Sequence, residues 1–158
     1  MRNSILRVLS LLVVLSTVFI VTGCAPTLLQ VYQRIETIPP NKAIVYIYRP
    51  SAFIGGGVYY DVKANSKVVT TLWNGGYYPY IADPGEIEFS AKTESTDSVT
   101  LDVKTGQAYY VKGTVGVGFL LGRPHLTVVS ANIAEAEITE CKLIPEPEKE
   151  GVKADVSK

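Results

Sequence analysis

Histidine occurs once in the 158 residues, tryptophan and methionine once each, and cysteine twice. With His125 alone, neither a multi-histidine metal site nor a Ser/His or Cys/His nucleophilic pair can be built away from that position. His125 directly follows Arg123-Pro124 at the start of an alternating run, where a strand-end surface role is expected. No sign of charge dominates, since 15 Lys and Arg face 15 Asp and Glu. A protein that binds nucleic acid carries a basic patch or stripe, so no nucleic-acid partner is expected. The longest apolar run, Val8 to Val21, is broken only by Ser10, Ser16 and Thr17. It is too short for a transmembrane helix, which needs roughly 20 apolar residues.

That run does have the length and flanks of a secretory segment. Arg2 and Arg7 precede it, and no acid occurs before Glu36. It ends in Val21-Thr22-Gly23-Cys24, which resembles the lipobox of bacterial lipoproteins. The chemistry suits these residue types, because a thiol is soft enough to be alkylated by a diacylglyceryl donor and Gly23 leaves the backbone open to the processing enzymes. Cleavage before Cys24 would free its α-amino group for a further acyl chain. Two or more chains turn marginal membrane attachment into stable attachment. Residues 1–23 are therefore expected to be a lipoprotein signal peptide, with Cys24 lipidated. Ala25 rather than Asp after the cysteine is similar to lipoproteins sent on to an outer membrane, where this one would face the periplasm.

Removing residues 1–23 leaves 135 residues with 13 basic and 15 acidic groups, a net charge of about −2. That is enough for one domain with a real core. Residues 24–41 read as a lipid-anchored tether ending at Pro39-Pro40. Residues 42–144 read as the folded domain, and 145–158, PEPEKEGVKADVSK, as a disordered charged tail. Between 42 and 129, short runs rich in Val, Ile, Thr and Tyr recur with turn signals between them. They are Lys42–Arg49, Val58–Ala64, Lys67–Leu72, Tyr77–Ile81, Glu86–Lys92, Ser98–Val103, Ala108–Val117 and His125–Val129. The fold class implied is all-β, an antiparallel β-sandwich of about seven or eight strands with a short C-terminal helix. Alternation places Ile87, Phe89, Ala91, Val99, Leu101, Val103, Tyr109 and Val111 inside. Of the tyrosine pairs, Tyr60 and Tyr109 are expected inside and Tyr59 and Tyr110 outside. Asn132, with Glu135 three residues later, is the expected cap of the helix. Ala134, Ile138 and Cys141 share its buried face, which makes Cys141 a small core hydrophobe.

The motifs Y-I-Y-R-P-S-A-F, Y-Y-D-V, N-G-G-Y, D-P-G, A-K-T-E, G-Q-A-Y-Y-V and L-G-R-P-H-L occur in this order over about residues 42 to 130. Together they resemble the bacterial lipoprotein family known as domain of unknown function 2846. The resemblance implies a secreted, lipid-anchored β-domain of sandwich type and lends no catalytic residues.

The glycine-rich stretches F-I-G-G-G-V and G-V-G-F-L-L-G lack the Lys-Ser/Thr of a P-loop and do not open a helix in a βαβ unit, so they read as bends or close backbone approaches. Glu86 and Glu88 share a solvated strand face, which offers no raised pKa for acid catalysis. Strand parity is more informative. If successive strands run alternately up and down, every odd-numbered connection lies at one end of the sandwich. Those connections are Pro50 to Gly57, Trp73 to Gly76, Thr93 to Asp97 and Gly118 to Pro124. They would gather Arg49, Phe53, Trp73, Asn74, Glu94, Phe119, Leu121 and Arg123 into an apolar patch ringed by charge, on the side away from a tether entering at Lys42. The bland alternative is a plug closing the sandwich, with Arg49 or Arg123 paired to Glu94. The reading is a lipid-anchored envelope protein, with no enzyme activity, cofactor or metal expected, that binds an envelope protein partner. The alternatives are a small-ligand or glycan-binding module and a hydrolase with an unfamiliar site.

Overall fold

A computed structural model describes residues 30–146, so the expected signal segment, Cys24 and nearly all of the charged tail lie outside the described residues. The alternating runs form β1 (Ala43–Arg49), β2 (Tyr60–Ala64), β3 (Lys67–Leu72), β4 (Gly76–Ala82), β5 (Gly85–Lys92), β6 (Thr96–Val103), β7 (Ala108–Gly116) and β8 (Arg123–Val129). A helix, α1 (Ala131–Ile138), and a two-residue strand, β9 (Lys142–Leu143), follow. Turn chemistry fixes the tight connections: Asn65 and Ser66 both adopt positive φ in the β2–β3 hairpin, as does Gly106 where the chain passes from β6 to β7.

The strands make two sheets, one ordered β8-β7-β1-β4-β9 and the other β3-β2-β5-β6. The fold is an all-β sandwich. Strict up-and-down alternation accounts for every ladder from β1 to β8: odd strands pair antiparallel with even ones, while the two odd neighbours β1 and β7 run parallel, with Ile44 opposite Ala108 and Tyr48 opposite Lys112. That parallel pair departs from an all-antiparallel sheet. It is reached by the long excursion through the second sheet, as a parallel pair requires.

The core between the sheets takes Val45, Ile47, Val62, Leu72, Ile87, Phe89, Ala91, Leu101, Val103 and Val111, with Val99 and Tyr109 partly buried against it. Ile44, Tyr46 and Tyr48 of β1 point the other way and are equally buried. They join Tyr77, Tyr110, Ala134, Ile138 and Cys141 in a second cluster on the outer face of the five-stranded sheet. Tyr110 is therefore not outward-facing in solvent as its parity suggested. Its ring stacks on Tyr46 with centroids 5.3 Å apart, under the helix. Alternation assigns faces correctly but cannot say that both faces are covered.

Two elements cover that outer face. The helix buries Ala134 and Ile138, and its acids tie down to the sheet: Tyr110 Oη donates to Glu135 (2.8 Å), and Tyr48 Oη (2.8 Å) and Lys112 Nζ (2.6 Å) to Glu137. Its N-cap is Ser130, not Asn132; Asn132 lies inside the first turn, where Ser130 Oγ donates to its side-chain oxygen at 2.6 Å. Cys141 lies just past the helix and is 1% exposed, and burial pushes its thiol pKa up to about 11.

The second cover is the chain expected to be a tether. From residue 30 it is bound to the domain: Tyr32, Ile35 and Ile38 pack on the second cluster, and Ile35 N–H donates to Tyr46 Oη at 2.8 Å. Three apolar residues spaced by three were enough to make it a strap. Its start is fixed beside β9, where Leu143 N–H donates to Gln30 O (2.7 Å) and Tyr32 N–H to Cys141 O (2.9 Å). β9 pairs with the first residues of β4, and Gly76 lies opposite Arg49, the last residue of β1. The strap thus runs back along β1 from its C-terminal end to Lys42, next to its start.

Candidate functional site: an apolar loop end

The four odd-numbered connections meet at one end of the sandwich. Asn74 accepts the Ala52 N–H at 2.8 Å and donates to the Ala52 carbonyl at 3.0 Å, which clamps the β1–β2 connection to the β3–β4 turn. Thr93 Oγ1 donates to Gly122 O at 2.6 Å, joining the β5–β6 and β7–β8 connections. Val115 links the two halves, because a Cβ on Gly55 or on Gly122 would stand 2.8 or 2.2 Å from its Cγ1. The even-numbered turns sit at the other end, where Lys42 pairs with Asp83 and its carbonyl accepts the Gly106 N–H at 2.8 Å.

Within this end, half of the residues expected to form a binding patch have structural partners instead. Arg49 is 2% exposed. Its guanidinium donates to Val58 O and Gly55 O, both at 2.6 Å, and lies 5.9 Å from the Tyr60 ring centroid. Burial lowers its pKa from the ordinary guanidinium value. It lies under the β1–β2 connection, not on its surface. Trp73 is half-buried against the sandwich core and lies over Gly76, where a Cβ would come within 2.7 Å of the indole nitrogen. Asn74 is occupied by Ala52 through both amide atoms.

Glu94 reaches the β7–β8 connection and accepts the N–H groups of Phe119 (2.8 Å), Leu120 (3.1 Å) and Leu121 (3.3 Å). These bonds, with Arg123 Nε at 3.4 Å, hold the carboxyl below the usual carboxylate range. Gly118 makes the enclosure feasible, because a Cβ there would lie 2.0 Å from a carboxylate oxygen. The Arg123–Glu94 pair of the plug alternative is present, and the Arg49–Glu94 pair is not.

What remains exposed is apolar. Phe53 is 102% exposed, Ile54 70%, Val117 84%, Phe119 90%, Leu120 85% and Leu121 58%. These side chains do not plug the sandwich; they project beyond it. Phe53, Phe119 and Leu121 belong to the set expected from sequence, and Arg123 stays at the rim with its side chain 55% exposed. Ile54, Val117 and Leu120 were not in that set. The signal for them is an apolar residue beside or between glycines in a connection, Ile54 before Gly55 and Val117 and Leu120 between Gly116 and Gly122.

The other candidates offer less. A shallow cleft of about 220 Å³ beside this end is lined by Arg49, Ser51, Ile54, Lys112, Thr114 and Glu137, with Lys112 and Glu137 paired across it. Ligand pockets run from about 300 Å³ upwards. A second trough, of about 400 Å³, lies on the outer face of the four-stranded sheet and is lined by strand-surface side chains, Asp61, Lys63, Ser90, Lys92 and Thr96, with no aromatic or large apolar group among its lining. His125 is surface-exposed, with its Nδ1 3.8 Å from Asp97, whose Oδ2 accepts the Leu126 N–H at 2.7 Å. Among the described residues, no group of three His, Cys, Asp or Glu is placed to hold a metal ion, and no helix is long and apolar enough to cross a membrane. No protein-family model matches the chain, and neither a curated protein nor a solved structure matches it.

Proposed function

We propose that this chain is a lipid-anchored protein of the cell envelope, held by acyl chains on Cys24, whose non-catalytic β-sandwich works by docking its loop end on an apolar partner there. The lipobox-like V-T-G-C, preceded by the charged and apolar segment, supports the anchoring and the location. The observation that carries the docking is the exposure of Phe53, Ile54, Val117, Phe119, Leu120 and Leu121 at one end, on backbones already held by Arg49, Asn74 and Glu94. Exposed apolar patches of this kind mark interaction sites. Among the described residues, the polar groups Arg49, Asn74 and Glu94 near them serve the loops themselves.

The test is photo-crosslinking in intact envelopes, with a benzophenone side chain at position 53 or 120 and a control at 105 in an even-numbered turn. Adducts with lipid or protein are expected at 53 and 120 and not at 105. Equal, background yields at all three positions would remove the docking end from the account.

A further inference from the structure

We propose that the partner of the loop end is the lipid bilayer itself, the same membrane in which the Cys24 acyl chains are seated. The inference rests on the anchored reading above and adds the occupant and the orientation.

The orientation comes from the strap. Because residues 30–41 run back along β1, the described chain begins beside Lys142 and Leu143, level with Gly76 and Arg49, where the apolar loops emerge. A tether entering directly at Lys42 would have put the anchor at the opposite end. Five residues separate Gln30 from Cys24, so the lipidated cysteine can lie at most about 20 Å from Gln30 even when the chain is fully extended. Across the five-stranded sheet, β9 and β8 stand four strand spacings apart, roughly 19 Å. Gln30 thus stands at one edge of this end, Phe53 and Ile54 lie in the connection beyond β1 near its middle, and Val117 to Leu121 lie beyond β7 and β8 at the other edge. A bilayer holding Cys24 at this reach faces all three.

The chemistry favours lipid over protein as occupant. The tips have side chains from 58 to 102% exposed, and apart from Ile54, which borders the shallow cleft beside this end, they line neither of the clefts described above. A bilayer surface takes any convex apolar tip, and its affinity rises with the apolar area buried. Entering it requires that backbone polar groups be satisfied internally. These loops meet part of that demand: Glu94 accepts the N–H groups of 119, 120 and 121, Arg49 donates to the carbonyls of 55 and 58, and Asn74 takes both groups of Ala52. Arg123 balances the charge of Glu94.

The experiment uses the full-length, processed protein, purified alone and reconstituted in phosphatidylethanolamine and phosphatidylglycerol vesicles, with nitroxide labels on Phe53→Cys, Leu120→Cys or Thr105→Cys. Mass spectrometry of the mature N-terminus is run on the same sample. Labels at 53 and 120 are expected to be open to oxygen and shielded from a water-soluble nickel chelate, and the label at 105 the reverse. If Cys24 carries lipid and labels 53 and 120 are as open to nickel as 105, the bilayer inference fails while the anchor stands. If the mature N-terminus carries no lipid, the anchored reading fails and takes the inference with it. Shielding that disappears on dilution with unlabelled protein, together with spin–spin broadening, would assign the face to a second copy and overturn the lipid occupant. Hydrated labels in these vesicles combined with protein adducts at 53 in intact envelopes would assign it to a protein instead.

Discussion

Arg49 and Glu94 show how a charged residue that reads as a rim of a binding patch can serve its own loop. Replacing Arg49 with Lys keeps the charge but loses the planar fork that reaches two carbonyls at once. Gly55 O keeps the Val58 N–H at 2.9 Å, so the carbonyl at risk is Val58 O, and leaving it unpaired costs roughly 1–3 kcal/mol. A lower urea midpoint for Arg49→Lys with an unchanged slope is the expected outcome. Glu94→Gln acts locally instead, since its carboxylate sits at the surface and water can replace it at the Phe119–Leu121 amides. Hydrogen exchange of those three amides should speed up while the unfolding midpoint moves little. Protection of β7 and β8 should not change.

At the scale of elements, α1 is held by its acids as much as by its apolar face. Lys112, followed by Tyr48, hydrogen-bonds Glu137 and holds its carboxyl below the ordinary value. A depressed folded-state pKa contributes stability that is present above the ordinary carboxylate range and is lost as pH falls through the lowered value. The helix amides should therefore exchange faster relative to the sheet on going from neutral pH into the region below about 4. In Glu137→Gln the exchange of the helix amides relative to the sheet should already be fast at neutral pH and should change less on acidification. The strap is the other element that packing decides. Tyr32, Ile35 and Ile38 are too few and too widely spaced to announce an element by themselves, and they order only because Tyr46, Tyr77 and Tyr110 offer an apolar face to lie on.

For the whole molecule, the question is which residues at the loop end serve folding and which serve contact. Trp73 is packed over Gly76, so Trp73→Ala should cost about 2–4 kcal/mol, somewhat below the loss for a fully buried Trp. Phe53→Ser and Leu120→Ser should leave chemical unfolding within about 0.5 kcal/mol, as expected of side chains that touch little. A large loss of stability in either serine variant would mean that the tips fold over the sandwich after all.

The sequence by itself determined the strands, their turns and the end at which the long loops gather. Each of these follows from a local rule: period-two alternation, the φ preferences of Asn65, Ser66 and Gly106, and the parity of up-and-down strands. It also marked Ala134 and Ile138 as one buried helix face, because i, i+4 spacing needs no knowledge of what lies opposite; Cys141 is buried with them but lies past the end of the helix rather than on it. Only the tertiary structure decided that Tyr110 is buried, that Arg49 points beneath its loop and that the chain before Lys42 doubles back to bring its start to the apolar end. Those outcomes depend on groups far apart in the chain: Tyr46 lies 64 positions before Tyr110, and Cys141 lies 109 positions after Tyr32. Periodicity says which way a side chain points, but not which remote segment will come to cover it.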